Sequence, residues 1–382
     1  MRINSVVINV SFKETGVSTY IKTILESIDE KEKYVLFVND ESWDDYLEGK
    51  GFRTFINKEL KLSFLYKILV LLNLRRLGVL IFRKIHPFSY LLRRFEIGQV
   101  IFPTPCYLTF FIDGFSCVSV HDLMHLTERR FKESASFIKY KYRNNIYTNI
   151  GVNFDKIIFE SNVGRNMFNN YYKIGEYTKT YLLPYCCPSY LIRILENKTY
   201  KSFEIDKYGA YLFYPASFWS HKNHHRLIHA FKNLVSGGFD INMVFAGGFN
   251  KEYNKLKKLV SSLNLDNRII FTGYVSDEEI VALYVGSKAL VMPTFFGPTN
   301  LPPIESICCE TPVLISGIYG MKEQLEDAAL YFDPTSIKDI EMCLLSFFDT
   351  NRAVLIEKGQ NLKPKFSLEL FKSKLITVID EV

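Results

Sequence analysis

The sequence predicts an α/β protein made of two doubly wound domains, each around a parallel sheet. Three observations carry that expectation. Short β-like runs alternate with helical patterns along the chain. The alternation lapses between about residues 184 and 206, then restarts. A length of 382 residues, 48% hydrophobic and 23% charged, is ample for two cores.

In the first half, β-like runs fall at residues 6–10, 34–38, 99–102, 117–120, 156–159 and 180–183. Helical patterns fall at 17–27, in parts of 60–94, at 135–148 and at 162–172. The second half places strands at 211–214, 242–246, 269–271, 289–292 and 313–315. Its helices are read at 224–236, 251–263, 277–285, 303–308 and 337–348. The end of the chain, 367–380, carries Leu370, Phe371, Leu375, Ile376 and Ile379 at helical spacing. The expected domains are 1–190 and 205–365, followed by a terminal helix within 366–382. Their carboxyl sheet edges should face one cleft.

Residues 1–10 run straight into a strand-like segment rather than a signal peptide. No apolar run reaches the roughly 18 residues needed to span a bilayer. The seven cysteines form no disulfide spacing and read as buried thiols. These features imply a cytoplasmic location. Charge is uneven. Between Lys58 and Arg94 nine basic residues, among them Arg75, Arg76, Arg83, Lys84, Arg93 and Arg94, face the single acid Glu59. That is a local excess of +8 against +6 for the whole chain. Leucines and aromatics are interleaved. One reading is an interfacial region on the anionic cytoplasmic membrane face. Another is helices packed in the first domain with the basic face in water. Nucleic acid is a poor fit, because the aromatics show no regular base-stacking pattern.

The most informative segment is Phe295-Phe296-Gly297-Pro298-Thr299-Asn300-Leu301-Pro302-Pro303-Ile304-Glu305. It reads as a loop after a strand, opening a helix. In open α/β sheets such loops hold ligands. Gly297 relaxes the backbone. Pro302 and Pro303 suit a first helical turn, whose free amides would welcome a phosphate. Glu305 falls within about one turn of the loop, where it can accept hydrogen bonds from sugar hydroxyls. An ordinary connection with Glu305 on a wet face is the alternative.

A second loop, Tyr214-Pro215-Ala216-Ser217-Phe218-Trp219-Ser220-His221-Lys222, also follows a strand and opens a helix. Lys222 offers a compact positive charge suited to a diphosphate; a solvated lysine is the plainer reading. His221, His225 and His229 have i,i+4 spacing, but no cysteine or acid nearby completes a metal set. Val120-His121-Asp122-Leu123 ends a first-domain strand. There His121 can bond a sugar hydroxyl, and Asp122 can cap the next segment or orient His121. Ser276 with Glu279 forms a capping box, and Ser161 reads as the cap of the helix after it.

These motifs together resemble the retaining GT-B glycosyltransferases called family four, or group 1, of the bacterial polysaccharide and O-antigen type. The likeness covers most of the chain and is strongest between Tyr211 and Pro334. Many members carry two glutamates separated by seven residues. Glu305 matches the second; the first falls on Gly297, as in a known variant of the loop. Many members also place an arginine and, five residues on, a lysine against the donor phosphates. Lys222 matches the lysine, and Ser217 stands where the arginine would be.

The resemblance implies further site residues. Gly16 lies in a loop near donor phosphate and acceptor. Gly273, Tyr274 and Val275 form a turn against the nucleotide base. Gly297, Thr299, Asn300 and Leu301 surround the donor. His121 and Lys222 are the expected catalytic residues. It implies a last helix crossing back to the first domain. The implied activity is a metal-independent hexosyltransferase with no cofactor. It would move a hexose, such as mannose, from a nucleotide sugar to a lipid-linked or oligosaccharide acceptor, with retention, in O-antigen or capsule assembly. The absence of any Asp-x-Asp triplet agrees with that class. Two alternatives stand beside it: another GT-B enzyme, such as an epimerase or inverting transferase, and a non-catalytic membrane- or polyanion-binding protein.

Overall fold

The computed structural model describes residues 3–12, 15–56, 62–112 and 114–381. Lys58 and Glu59 of the sequence reading lie outside them. The chain divides into two compact units. Unit 1 holds Met1–Thr127, Ser134–Pro184 and Glu369–Val382. Unit 2 holds Glu128–Glu133 and Tyr185–Leu368.

Unit 1 is a seven-stranded parallel sheet. Its strands are β1 (Ile3–Ile8), β2 (Tyr34–Val38), β3 (Arg53–Ile56), β4 (Ile97–Phe102), β5 (Ser116–Ser119), β6 (Lys156–Phe159) and β7 (Lys179–Leu182). Their order is β3-β2-β1-β4-β5-β6-β7. The inner strands β2, β5 and β6 are buried along their whole length, as parallel sheets covered by helices require. The helix Leu368–Asp380 belongs to this unit, although its sequence comes last. Phe371 meets Tyr20 edge-on at 6.0 Å. The buried Lys156 ammonium donates to the carbonyls of Val378 (2.6 Å) and Ile379 (3.3 Å). Those carbonyls end the helix, where its dipole favours a cation.

Unit 2 has six parallel strands: β8 (Tyr211–Pro215), β9 (Asn242–Ala246), β10 (Ile269–Gly273), β11 (Ala289–Met292), β12 (Val313–Ser316) and β13 (Ala329–Phe332). Their order is β10-β9-β8-β11-β12-β13. The order reverses between β8 and β11. The loops leaving those two strands therefore flank the point where doubly wound sheets bind ligands.

Two edge strands escaped the sequence reading. β3 (RTFI) is half exposed, and β13 (ALYF) is only partly buried at its two middle positions; both lie at a sheet edge. β1 starts at Ile3 and ends at Ile8, earlier than expected. The stretch expected to be a plain connection contains the helix Ser189–Asn197, which buries Leu191 and Ile194 in the unit 2 core. The helix expected at 135–148 runs Phe137–Asn153, capped by Ser136. The basic region forms three helices: Leu62–Leu71, Arg75–Ile85 and Pro87–Arg94.

Candidate functional site

The two loops at the unit 2 switch point are locked together around Lys222. The residues on either side of it make the link. The His221 carbonyl accepts the Phe295 amide at 2.8 Å, and the His221 ring stacks on Phe296 with centroids 3.8 Å apart. Asn223 is buried with φ of +62° and donates its side-chain amide to the carbonyls of Pro293 (3.0 Å) and Pro334 (2.8 Å). The Lys222 carbonyl itself accepts from the Tyr214 hydroxyl at 3.0 Å. Glu133, from the short stretch of unit 2 that precedes it in sequence, accepts the Ser220 amide at 2.7 Å and faces His221 Nδ1 at 3.4 Å. Arg130 lies over the Phe295 ring at 4.3 Å. Gly247, just past β9, allows β8's exit to pass close by. A Cβ there would lie 2.4 Å from the Ala216 carbonyl oxygen.

Within this frame the Lys222 ammonium has no hydrogen-bond or ion-pair partner among the described residues. Desolvation lowers its pKa to about 8. A partly buried cation with no carboxylate beside it is a site waiting for an anion. The adjacent His224 is buried, enclosed by Tyr214, Phe218 and Phe245. Burial, with Lys222 and His221 adding to it, lowers its pKa to about 3, so it is neutral.

The loop from Phe295 to Leu301 adds donors, but not those expected from its helix. That helix spans Pro302–Cys308. Its first two residues are prolines without N–H, and the Ile304 and Glu305 amides close onto the Leu301 carbonyl at 2.9 and 3.1 Å. The helix start therefore offers no free amide to a phosphate, which corrects the sequence expectation. Asn300 is braced through its backbone and its side-chain amide nitrogen. Its amide goes to Gln324 Oε1 (3.1 Å), its carbonyl accepts from Gln324 Nε2 (2.7 Å), and its side chain donates to the Phe296 carbonyl (3.1 Å). Gly297, Thr299 and Leu301 keep amides with no protein acceptor among the described residues, and Thr299 Oγ1 is buried without a partner. The Gly297–Pro298 peptide is cis.

Glu305 is buried, not on a wet face. Its two oxygens accept the hydroxyls of Tyr190 (3.2 Å) and Tyr284 (2.8 Å). Burial raises its pKa, with the two tyrosines pulling the other way. Gly273 ends β10 with φ of +78°, its Cα facing the Phe249 ring. Tyr274 is largely exposed, and Val275 packs on the core. Ser276 caps the helix Asp277–Gly286 through the Glu279 amide at 3.1 Å. Ser217 is exposed.

In unit 1, Gly16 is exposed in the helix Thr15–Glu26, with open space around it. His121 follows β5. Its Nδ1 meets Glu160, and its Nε2 lies 2.7 Å from the Pro103 carbonyl. Both ring nitrogens face acceptors, an arrangement that favours the doubly protonated ring. Burial opposes that charge, but the Glu160 carboxylate and the Pro103 carbonyl outweigh it and raise the pKa. Neither nitrogen is left for a sugar hydroxyl in this arrangement, contrary to the sequence reading. Asp122 does not orient His121. It binds Arg143 (2.8 Å) and the Met124 amide (2.9 Å). His125 faces the core, bonded to Tyr172 at 3.0 Å. Among the described residues no group of three His, Cys, Asp or Glu side chains comes together to hold a metal.

The basic helices bury Tyr66, Leu69, Phe82, Phe88 and Leu91. Leu77, Leu80 and Ile85 stay exposed beside Arg76, Arg83 and Lys84. Arg93 and Arg94 are exposed as well, and Arg93 braces Ser89 and the Arg83 carbonyl. Arg75 departs from the expected surface set. It is half-buried, and desolvation lowers its pKa. Among the described residues no helix is long and apolar enough to cross a membrane.

Sequence reasoning missed Glu133, Glu160, Asn223, Gln324 and the two tyrosines on Glu305. Each acts across a long sequence separation, which no local motif announces.

Comparison with known proteins agrees with this architecture. Residues 196–362 match the family model of the glycosyl transferases group 1. Over 192 residues the chain is 30% identical to the O-antigen chain mannosyltransferase RfbU of Salmonella typhimurium, covering 48% of this chain and 54% of that protein. The chain thus spans about half the length of that curated relative. Sucrose-phosphate synthase of Thermosynechococcus elongatus aligns with a TM-score of 0.76 at 16% identity, over 99% of this chain and 98% of that one. Anabaena Alr3699/HepE, solved in complex with UDP-glucose, aligns with a TM-score of 0.71 at 14% identity, over 100% of both chains. The fold is that of the GT-B glycosyltransferases. Within that class, residues 196–362 are similar to the glycosyl transferases group 1, and O-antigen mannosyltransferases are among the proteins this chain resembles.

Proposed function

We propose that the protein is a retaining hexosyltransferase. It moves mannose from a nucleoside diphosphate sugar to a lipid-linked or oligosaccharide acceptor during assembly of a bacterial surface polysaccharide. The observation that carries this reading is the unpartnered, desolvated Lys222 ammonium, fixed between two interlocked loops at the switch point of unit 2. Breaking a glycosyl–phosphate bond puts negative charge on the departing diphosphate. Fixed donors stabilise that charge best where water is scarce. Lys222, the amides of Gly297, Thr299 and Leu301 and the Thr299 hydroxyl are the donors; no metal is required of them. Each Glu305 oxygen has lone pairs beyond those its tyrosine uses, and these bind the ribose. The turn Gly273–Val275 faces the base. Ser217 and Gly297, where relatives of this type carry charged groups, leave Lys222 as the main electrostatic grip. We assign His121 a positioning role, through Glu160. Gly16 lies on the acceptor side. Mannose follows the activity for which the O-antigen relative is named. The test is incubation with GDP- and UDP-sugars and a glycan acceptor, followed by NMR of the product's anomeric centre. A product of inverted configuration, or no transfer from any donor, overturns the reading.

The basic helices support a second part of the proposal: the protein works at the cytoplasmic membrane face, held on its periphery. Exposed Leu77, Leu80 and Ile85 share a helix with Arg76, Arg83 and Lys84. Each basic side chain near an anionic bilayer contributes about 1 kcal/mol. Reversing Arg76, Arg83 and Lys84 to Glu should therefore weaken co-sedimentation with phosphatidylglycerol vesicles by roughly 100-fold or more at low salt. Undiminished binding of that variant rules the surface out.

A further inference from the structure

Unit 1 contains a cavity of about 970 Å³ that the donor chemistry leaves unexplained. Asn4, Tyr34, Gln99 and Lys156 line it. Each stands at or near the start of its strand, β1, β2, β4 and β6 respectively. The cavity therefore lies at the amino edge of the sheet. His121, after β5, stands at the opposite edge. Ligand crevices of open α/β sheets lie at carboxyl edges, so this is a separate place.

Its wall has a definite chemistry. Two aromatic rings are displayed to solvent: Tyr177 is 85% exposed and Phe115 64%. Phe115 adopts φ of +42° directly after Gly114 at +57°. A left-handed backbone strains a residue that carries a side chain. Such an outlier points to use. Tyr177 sits on a turn pinned at both ends. The Gly175 amide donates to the Gly151 carbonyl (2.7 Å), and Thr178 Oγ1 donates to the Phe154 carbonyl (2.7 Å). The charges of the wall disfavour an anion. Five carboxylates face three lysines, a net of −2. All three ammonium groups are engaged: Lys33 with Glu30, Lys179 with Glu381, and Lys156 with helix carbonyls. Glu176 and Asp380 have no hydrogen-bond or ion-pair partner among the described residues. Free carboxylates accept hydroxyl donors, and exposed rings offer a flat apolar face. That combination fits a pyranose, with polar edges and an apolar C–H face.

We propose that this cavity is a second carbohydrate site, taking a neutral oligosaccharide segment away from the reacting centre. Its identity as part of the growing glycan rests on the proposed function; the site itself does not. The probe is linear α-mannotetraose with the intact protein, followed by saturation-transfer NMR and titration. Binding should persist in Lys222→Ala and in the presence of saturating GDP or UDP. It should weaken about tenfold, equivalent to 1.4 kcal/mol, in Tyr177→Ala and in the Glu176→Gln/Asp380→Asn pair. Phe115→Ala is read in the same way, so that one poorly folded variant does not decide the matter. Wild-type nucleotide affinity in these variants confirms an intact protein. No saturation transfer to mannotetraose with the wild type, equal affinity in all the wall variants, or displacement of the sugar by nucleotide overturns the site. Failure of sugar transfer from every donor would sink the proposed function and leave this result standing.

Discussion

Lys222→Ala should lower kcat/KM for the nucleotide sugar by roughly 10- to 150-fold, the loss of a charge-assisted contact of about 1.5–3 kcal/mol. The nucleotide's Kd should rise with it, measured by calorimetry. Thermal stability should hold or improve, because the variant removes a desolvated ammonium that no carboxylate compensates. The pH dependence has a fixed sign. Burial lowers the Lys222 pKa to about 8, well below that of a free lysine. The binding-competent ammonium is complete below that value and is lost as pH rises through it. Wild-type kcat/KM should therefore fall above pH 8, and the falling limb should be absent from the variant. Since the folded protein binds this proton less tightly than the unfolded chain, the group's contribution to stability increases between about pH 8 and 10.5. A variant with wild-type kcat/KM, or with the same alkaline limb, removes Lys222 from the site.

Glu305→Ala has the second large effect, and it falls on the fold as well as on the donor. It strands the hydroxyls of Tyr190 and Tyr284, one partly and one fully buried. Each unsatisfied buried group costs about 1–3 kcal/mol. Denaturant unfolding should show a loss of about 2–4 kcal/mol. Glu305→Gln keeps an acceptor for one tyrosine and a rotatable amide for the other, and should cost about 1 kcal/mol. If ribose binds here, Glu305→Gln should raise the nucleotide Kd while leaving most of the stability. An unchanged Kd in that variant would make Glu305 a structural residue. Because burial raises this carboxyl's pKa, the stability linked to it is full at low pH and lost as pH rises through the raised value.

What could be read from the chain follows from where the information lies. Inner strands such as β2, β9 and β11 carry apolar runs, so their pattern announces them. β3 and β13 are edge strands with two to four weak positions, and pairing with a neighbour defines them more than composition does. Lys222 and Glu305 were legible because strand, loop and helix signals converge on them. The direction of hydrogen bonds was not. The two prolines that marked the helix start also removed its first two amides. Gln324, 24 residues from Asn300, consumes another. His121 was legible as a strand-end histidine. Its commitment to Glu160 and Pro103 was hidden, because β4, β5 and β6 must pair before those groups meet.

Lys156 ties the last helix into a sheet whose other members were all synthesised before residue 185. A ribosome therefore releases all of unit 2 before it delivers the carbonyls that this ammonium needs. During translation the first unit must wait with an open seam while the second closes on its own. Any stop codon ahead of Val378 would leave that seam open for good, with an unsatisfied cation at its base for quality-control proteases to find.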